Sequence, residues 1–476
     1  AKSPDNMPLY YRTGLSRATG GALEALQDLV VNGGHPMQEV ISAMLSHAGQ
    51  YIRREKNFDG ISIKTRVMTE NRTRDVRLAD ATTSILRNTI DFDEAKKPMI
   101  SALNKLAQKQ GRIETGDSKT SAGVTSTNFT AVVHNAIGQM LLAIKTDGAI
   151  QEAIEAHKTG KKIVIALANT MESHLVDYAR ENSIQPGDEL GDYSFKTFLE
   201  KMVDGTLKYR ETDATGEVKI GRITREMLER WSKGDFGGEK GDVSTLVEDV
   251  ANHYEIERIQ GDASTLLHYY DNLMDAISGQ KALDEMPASP IDYIRSRLEK
   301  AGIRTGEITG REYTVEYRGG DLVLGQRTQQ EIKNRLPTIN GFNNGQIDAI
   351  ILNQAGAEGL SLHASEKFKD KRPRHMLVLQ PNLDINKFMQ ILGRTNRTGQ
   401  VVKPSYGMIQ SDLPTELRPA AVLSRKMASL NANTTADTES AMTMKDALDI
   451  FNVYGDRVVR SYLLDGILSV YIQQEQ

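Results

Sequence analysis

Gln390-Ile391-Leu392-Gly393-Arg394-Thr395-Asn396-Arg397-Thr398-Gly399-Gln400 sets two arginines three residues apart among glycines and glutamines. An apolar run at 375–379 precedes it. The stretch therefore reads as a strand feeding a helix, with both arginines on one helix face. A guanidinium is planar and permanently charged, which suits it to neutralise the charge that develops during phosphoryl transfer. Arg394 and Arg397 are accordingly the candidate catalytic residues, with Gln390 and Gly393 as nucleotide-binding neighbours. The bland alternative, an Arg-rich helical turn, leaves the glycine and both glutamines unexplained.

About 40 residues upstream lies Asn353-Gln354-Ala355-Gly356-Ala357-Glu358-Gly359-Leu360-Ser361-Leu362, directly after the apolar run 348–352. Small residues at a strand end let the backbone approach a phosphate closely. Glu358 and Gly359 are expected near nucleotide and Ser361 near nucleic acid; a plain Gly-rich turn is the alternative. At the end of the strand expected over 305–308, Thr309, Gly310 and Arg311 offer a hydroxyl, an amide and a charge to a nucleic-acid phosphate. A turn with Gly310 in the left-handed region explains the same residues.

Between these motifs the chain alternates strands and helices. Residues 163–167, Ile-Val-Ile-Ala-Leu, form a continuous apolar run of the kind buried on both faces of a parallel sheet. Asn169 and Glu172 follow at capping-box spacing, and Asn169 joins the candidate DNA-binding residues. Helices at 290–301, near 329–336, through 389 and at 416–430 alternate with strands at 305–308, 348–352, 375–379 and 406–409. The expected fold is α/β, a doubly wound parallel sheet with ligands at the strands' carboxyl ends. A hundred-residue loop is foreign to such a fold, so the polar, helix-prone segment at about 183–289 reads as an insertion; a shorter β-rich one is expected at 313–324. Residues 1–160 read as a largely helical region, with Met37, Val40, Ile41, Met44 and Leu45 on one helix face and a strand at 61–67. The tail, 433–476, also reads as helical.

With 476 residues the chain is long enough for two or three cores, given domains of roughly 100–200 residues. No apolar run approaches the roughly 20 residues that span a bilayer. There is no cysteine, and nine scattered histidines offer no metal site. The net charge of −4 places any nucleic-acid contact in local grooves rather than in an overall field. Arg53, Arg54, Lys56, Lys64, Arg66, Arg72, Arg74 and Arg77 form a basic stretch, either a solvated surface or a phosphate-contacting face. Two look-alikes fail on chemistry. Gly160-Lys161-Lys162 lacks the Ser or Thr of a phosphate loop and precedes a strand instead of a helix. Asp93-Glu94-Ala95-Lys96 follows no buried strand and reads as acidic residues at a helix start.

Taken together, the 353–362 and 390–400 motifs resemble motifs V and VI of superfamily 2 helicases, whose second domain is RecA-like. The whole chain resembles the strawberry-notch group, in particular long phage and plasmid proteins that join a DNA methylase to a helicase. Residues 43–54 with 58–60, 289–294, 306–311 and 411–413 carry the wider resemblance. Departures are Ser361, where many such motors carry Asp or Asn, and Asn396, where relatives often have His. The resemblance implies a helical region at 1–160, a second RecA-like domain at 161–432, and an absent first RecA-like domain, in the same polypeptide or a separate chain, that binds most of the ATP and Mg2+. It implies DNA as partner, phage virion proteins as further partners, an antirestriction role, and a location in the virion or the bacterial host cytoplasm. The alternative is a packaged virion protein or DNA-binding scaffold that completes no ATP site.

Overall fold

Every residue from Lys162 to Leu167 is buried, as a strand covered on both faces must be. The computed structural model describes residues 14, 23–50, 61, 63–109, 123–126, 129–212, 218–235, 256–353 and 359–434; the expected tail, from 435 on, lies outside them. In chain order the elements are α1 (Leu23–His47), β1 (Ile63–Met68), α2 (Arg72–Lys109), β2 (Gly123–Ser126), α3 (Phe129–Lys158), β3 (Lys162–Leu167), α4 (Glu172–Glu181), α5 (Phe195–Leu207), β4 (Lys208–Thr212), β5 (Val218–Arg222), α6 (Arg225–Ser232) and α7 (Ile256–Ser278). After a 3-10 turn (Lys281–Glu285) come α8 (Pro290–Lys300), β6 (Thr305–Ile308), β7 (Tyr313–Arg318), β8 (Asp321–Gln326), α9 (Gln329–Lys333), α10 (Leu336–Asn343), β9 (Ala349–Asn353), β10 (Arg374–Val378), α11 (Ile385–Leu392), β11 (Ser405–Ser411) and α12 (Pro414–Thr434).

The main sheet has the order β1-β11-β10-β3-β9-β6, with all pairings parallel. Alternation at period two divides its side chains between two cores. Val164, Ala166, Ile350, Leu352, Met376 and Val378 face α10, α11 and α12 through Phe342, Phe388, Leu392 and Leu423. Ile163, Ile165, Leu167, Ile351 and Leu377 face α3 and α8 through Leu142, Ala153, Ile291, Ile294 and Leu298. This is the expected doubly wound α/β fold.

An apolar pattern alone cannot set the register of a strand that is apolar on both faces. Lys162 supplies the missing constraint. Its ammonium is buried, ion-paired to Asp370 at 3.0 Å, donated to the Phe342 carbonyl and set 4.3 Å from the Phe342 ring centroid. Burial pulls its pKa down to about 8 against the pull of Asp370. A one-residue slip would leave this cation buried without its partner. Gly160, at φ +79°, makes the turn before it, so the Gly160–Lys162 stretch is structural.

The boundary expected at residue 161 divides elements that share a core. β1, from the region expected to precede the domain, is the edge strand beside β11, and α3 covers one sheet face. The insertion shares a hydrophobic core with the N-terminal helices. Phe195, Leu199, Leu228, Trp231, Leu266 and Leu273 pack on Leu78, Ile85 and Phe92 of α2. β2, β4 and β5 form an antiparallel sheet here, and the β-rich insertion at 313–324 is the β7–β8 hairpin. Asp93-Glu94-Ala95-Lys96 lies inside α2 rather than at a helix start. Lys96 is buried there, bonded to the Thr206 carbonyl and paired with Asp93. On α1 the buried face runs through Gln38, Ile41, Ser42 and Leu45, not through Val40 and Met44, which are exposed. The Gln38 side chain is instead bonded to Ser429 of α12.

Trp231 is the chain's single tryptophan and is 1% exposed. Its emission is therefore expected to be blue-shifted in the native protein and to move to the red as this helical core opens in denaturant. A solvent-like native spectrum would contradict the packing described.

Candidate nucleotide and nucleic-acid site

Because all six strands run parallel, the loops after β3, β6, β9, β10 and β11 leave from the same sheet edge. The 390–400 motif begins on α11, where Gln390 is exposed. The helix stops at Leu392 with Gly393 as its cap, whose N–H donates to the Met389 and Ile391 carbonyls. Arg394 and Arg397 therefore lie in the turn beyond the helix and not on its face, which corrects the helical expectation. The chain leaves the helix at Gly393, and Gly399, at φ +85°, turns it again.

This turn is stitched to the segment after β9. Leu362 N–H donates to the Arg394 carbonyl at 2.9 Å, and Val401 N–H donates to the Ala364 carbonyl at 2.8 Å. The Arg397 guanidinium donates to the Ser361 hydroxyl at 2.7 Å. Arg397 N–H donates to the Gln400 side chain at 3.2 Å, which gives the last glutamine of the motif a structural task. Both arginines are half-buried, a setting in which a charged hydrogen bond gains strength over its value in water. Gly359, at φ +74°, turns the chain in the left-handed region that favours glycine. Residues 354–358, including Glu358, lie outside the described residues. Ser361, which departs from the Asp or Asn that many such motors carry, thus holds the arginine turn against the preceding motif.

At the end of β6 the expectation for Arg311 is corrected. Its guanidinium is 2% exposed and forks onto Asp292 at 2.5 and 2.7 Å and onto Glu307 at 2.6 and 2.8 Å. Its charge is satisfied inside the fold and is not presented to a phosphate. Burial works to raise the Glu307 pKa, but Arg311, Arg327 and the Thr309 hydroxyl together hold it at about 2. Arg327 also reaches the carbonyls of Thr309 and Arg311 at 3.4 and 2.9 Å. Thr309 is buried and its hydroxyl donates to Glu307, so only the exposed Gly310 faces outward. Gly310 does not adopt positive φ, which removes the left-handed turn as an explanation for it.

The Asn169 capping box is also absent. α4 begins at Glu172 after Met171 in the left-handed region, with no side-chain cap. The Asn169 side-chain oxygen accepts from Met171 N–H at 3.0 Å in a local turn. Glu172 accepts instead from the N–H groups of Glu312 and Tyr313, which ties α4 to β7. Sequence reasoning missed Gln380, next after the β10 run. Its oxygen accepts from Ala168 and Asn169 N–H at 3.2 and 3.1 Å. A polar residue at the end of a wholly buried strand was the available signal.

Four of the eight residues of the basic stretch make ion pairs among the described residues of the chain. Arg66 pairs with Glu152 and Glu70, Arg72 with Asp412, Arg74 with Asp147, and Arg77 with Glu285. Arg53, Arg54 and Lys56 lie outside the described residues. Among the described residues no group of His, Asp or Glu could hold a metal ion, and no helix is long and apolar enough to cross a membrane.

Residues 290–473, from α8 through both motifs, match the C-terminal domain on strawberry notch homologues, a helicase C-terminal domain. Strawberry notch homolog 1 of Rattus norvegicus is 23% identical over 511 residues, which cover 96% of this chain and 38% of that protein. Strawberry notch of Drosophila melanogaster is 29% identical over 185 residues, 37% of this chain and 11% of that protein. FORGETTER 1 of Arabidopsis thaliana is 27% identical over 157 residues, 32% of this chain and 12% of that protein. The chain spans 38% or less of the length of these relatives.

Proposed function

We propose that this chain is the second motor domain of an ATP-dependent DNA translocase or helicase, and that it completes its ATP site against a first RecA-like domain. The observation that carries this reading is the junction of the two motifs, in which Arg397 donates to Ser361 and the Arg394 carbonyl accepts from Leu362. It fixes two guanidinium-bearing residues on a rigid turn beside the sheet edge that would also meet nucleic acid. ATP supplies the γ-phosphoryl group, and the first domain supplies most of its contacts and the Mg2+. On this side Arg394 and Arg397 neutralise charge, Gly393 and Gly359 allow close approach, and Gln390 and Glu358 lie beside the nucleotide. Asn169, Gly310 and Ser361 line the DNA edge, with Thr309 and Arg311 supporting it from within.

The test is ATP hydrolysis by this chain joined to, or mixed with, a domain that carries a phosphate-binding loop. Turnover is expected to rise when DNA is added; hydrolysis that ignores DNA, or none at all, would sink the proposal. By the same reading the parent polypeptide serves a phage, protecting incoming DNA from restriction, and resides in the virion or the host cytoplasm. The extended resemblance to phage methylase–helicases supports this. Peptides of the chain in purified virions, among other virion proteins, are the expected finding.

A further inference from the structure

In sheet order the strands after β3 lie first on one side of it, at β6 and β9, and then on the other, at β10 and β11. The winding reverses between β3 and β10, and the crevice at the carboxyl ends of such a pair is where open α/β sheets collect ligands. Four amide side chains stand there: Asn135 and Gln139 from α3, Asn169 after β3, and Gln380 after β10.

Backbone groups fix the orientation of these amides in turn. A backbone N–H only donates, so Gln380 must present its oxygen to Ala168 and Asn169, and its nitrogen then donates to the Gly138 carbonyl at 2.9 Å. Asn169 must present its oxygen to Met171 N–H, and its nitrogen then donates to the Asn135 oxygen at 3.0 Å. The Gln139 nitrogen approaches the same Asn135 oxygen at 3.5 Å, while the buried Gln139 oxygen has no hydrogen-bond partner among the described residues. The end of this chain is the amide nitrogen of Asn135, an exposed residue. Its two N–H donors are aimed by three other amides and are not consumed by them.

We propose that Asn135 donates a hydrogen bond to a phosphate oxygen of the nucleic-acid strand, with Gln380 acting as a positioning residue that holds the Asn169 loop beneath it. This inference rests on the function proposed above. A neutral donor of this kind fixes the strand's path without reading its sequence. It also fits a chain of net charge −4, which lacks a broad basic field. Since Asn135 carries no charge, its contact releases no counterion, unlike a lysine or arginine contact.

The experiment is fluorescence anisotropy of a labelled oligothymidylate titrated with the full chain over a range of salt concentrations. Asn135→Ala is expected to weaken binding by about 2- to 10-fold, one hydrogen bond's worth, with the slope of log affinity against log salt unchanged. Asn135→Asp, of nearly equal volume, is expected to weaken binding further by repelling the phosphate. Gln380→Ala is expected to weaken binding as Asn135→Ala does, because Asn169 loses its support. If wild type binds and both Asn135 variants bind equally well, this assignment is overturned and the proposed function stands. If wild type does not bind the oligonucleotide, the proposed function falls and takes this assignment with it.

Discussion

Replacing Arg397 with alanine is expected to lower DNA-stimulated ATP hydrolysis by about three powers of ten or more, measured with the domain that supplies the rest of the ATP site. The size of the effect separates two roles. Among the described residues, Arg397 makes one charged side-chain hydrogen bond, to Ser361, from a half-buried position. Losing that contact costs about 1.5–3 kcal/mol at most, so the variant should remain folded, with a lower melting temperature. On the proposed function, the guanidinium would meet charge that develops only during phosphoryl transfer, so its loss would appear in turnover rather than in affinity. DNA binding by the variant should stay within a few-fold of wild type. Arg397→Lys should restore little, because an ammonium cannot donate from a planar fork. Wild-type turnover in the alanine variant would remove Arg397 from the reaction.

The two motifs and the sheet were legible in sequence for one physical reason. Continuous apolar runs such as 163–167 occur where both sheet faces are covered; the Gly-rich motif follows one such run directly, and the Arg-rich motif comes one helix after another. What escaped depended on contacts distant in sequence. The Arg394–Arg397 spacing suits a helix, but the helix stops at Leu392 and the turn beyond it is bonded to the segment after β9. Asn169 and Glu172 have capping-box spacing, yet Glu172 finds stronger partners 140 and 141 residues away. Arg311 looked available because sequence alone does not show that Glu307, four residues earlier, and Asp292, on a helix 19 residues earlier, both turn onto it. The polar composition of 183–289 hid a core because that core is completed by residues of α2 and α3, distant in sequence. Periodicity reports which face is buried, and it is silent on the element that buries it.

Arg311→Ala is expected to destabilise the protein by about 3–5 kcal/mol, read from urea denaturation followed by circular dichroism, because it leaves two buried carboxylates without their shared counter-ion. Asp292 retains bonds from Ser289 and from Val315 N–H, and Glu307 retains Arg327 at 3.3 Å. Neither replaces a bidentate guanidinium. The pH dependence distinguishes lost charge pairing from lost packing. In wild type, Glu307 sits at about 2, below its unfolded value. Its contribution is therefore complete above about pH 4.5 and is lost as pH falls through that value toward 2. In the variant, burial is opposed only by Arg327 and Thr309, so the Glu307 pKa rises from its wild-type position. Acid then costs the variant less stability than it costs wild type. The stability gap should be widest near pH 7 and narrow toward about pH 4; a gap independent of pH would assign the loss to packing alone. Because Asp292 and Glu307 anchor the Thr309–Gly310 turn at the sheet edge, the same substitution should also weaken DNA binding while Arg394 and Arg397 keep their turn. On the proposed function, that would separate the edge assigned to DNA from the turn assigned to ATP within one domain.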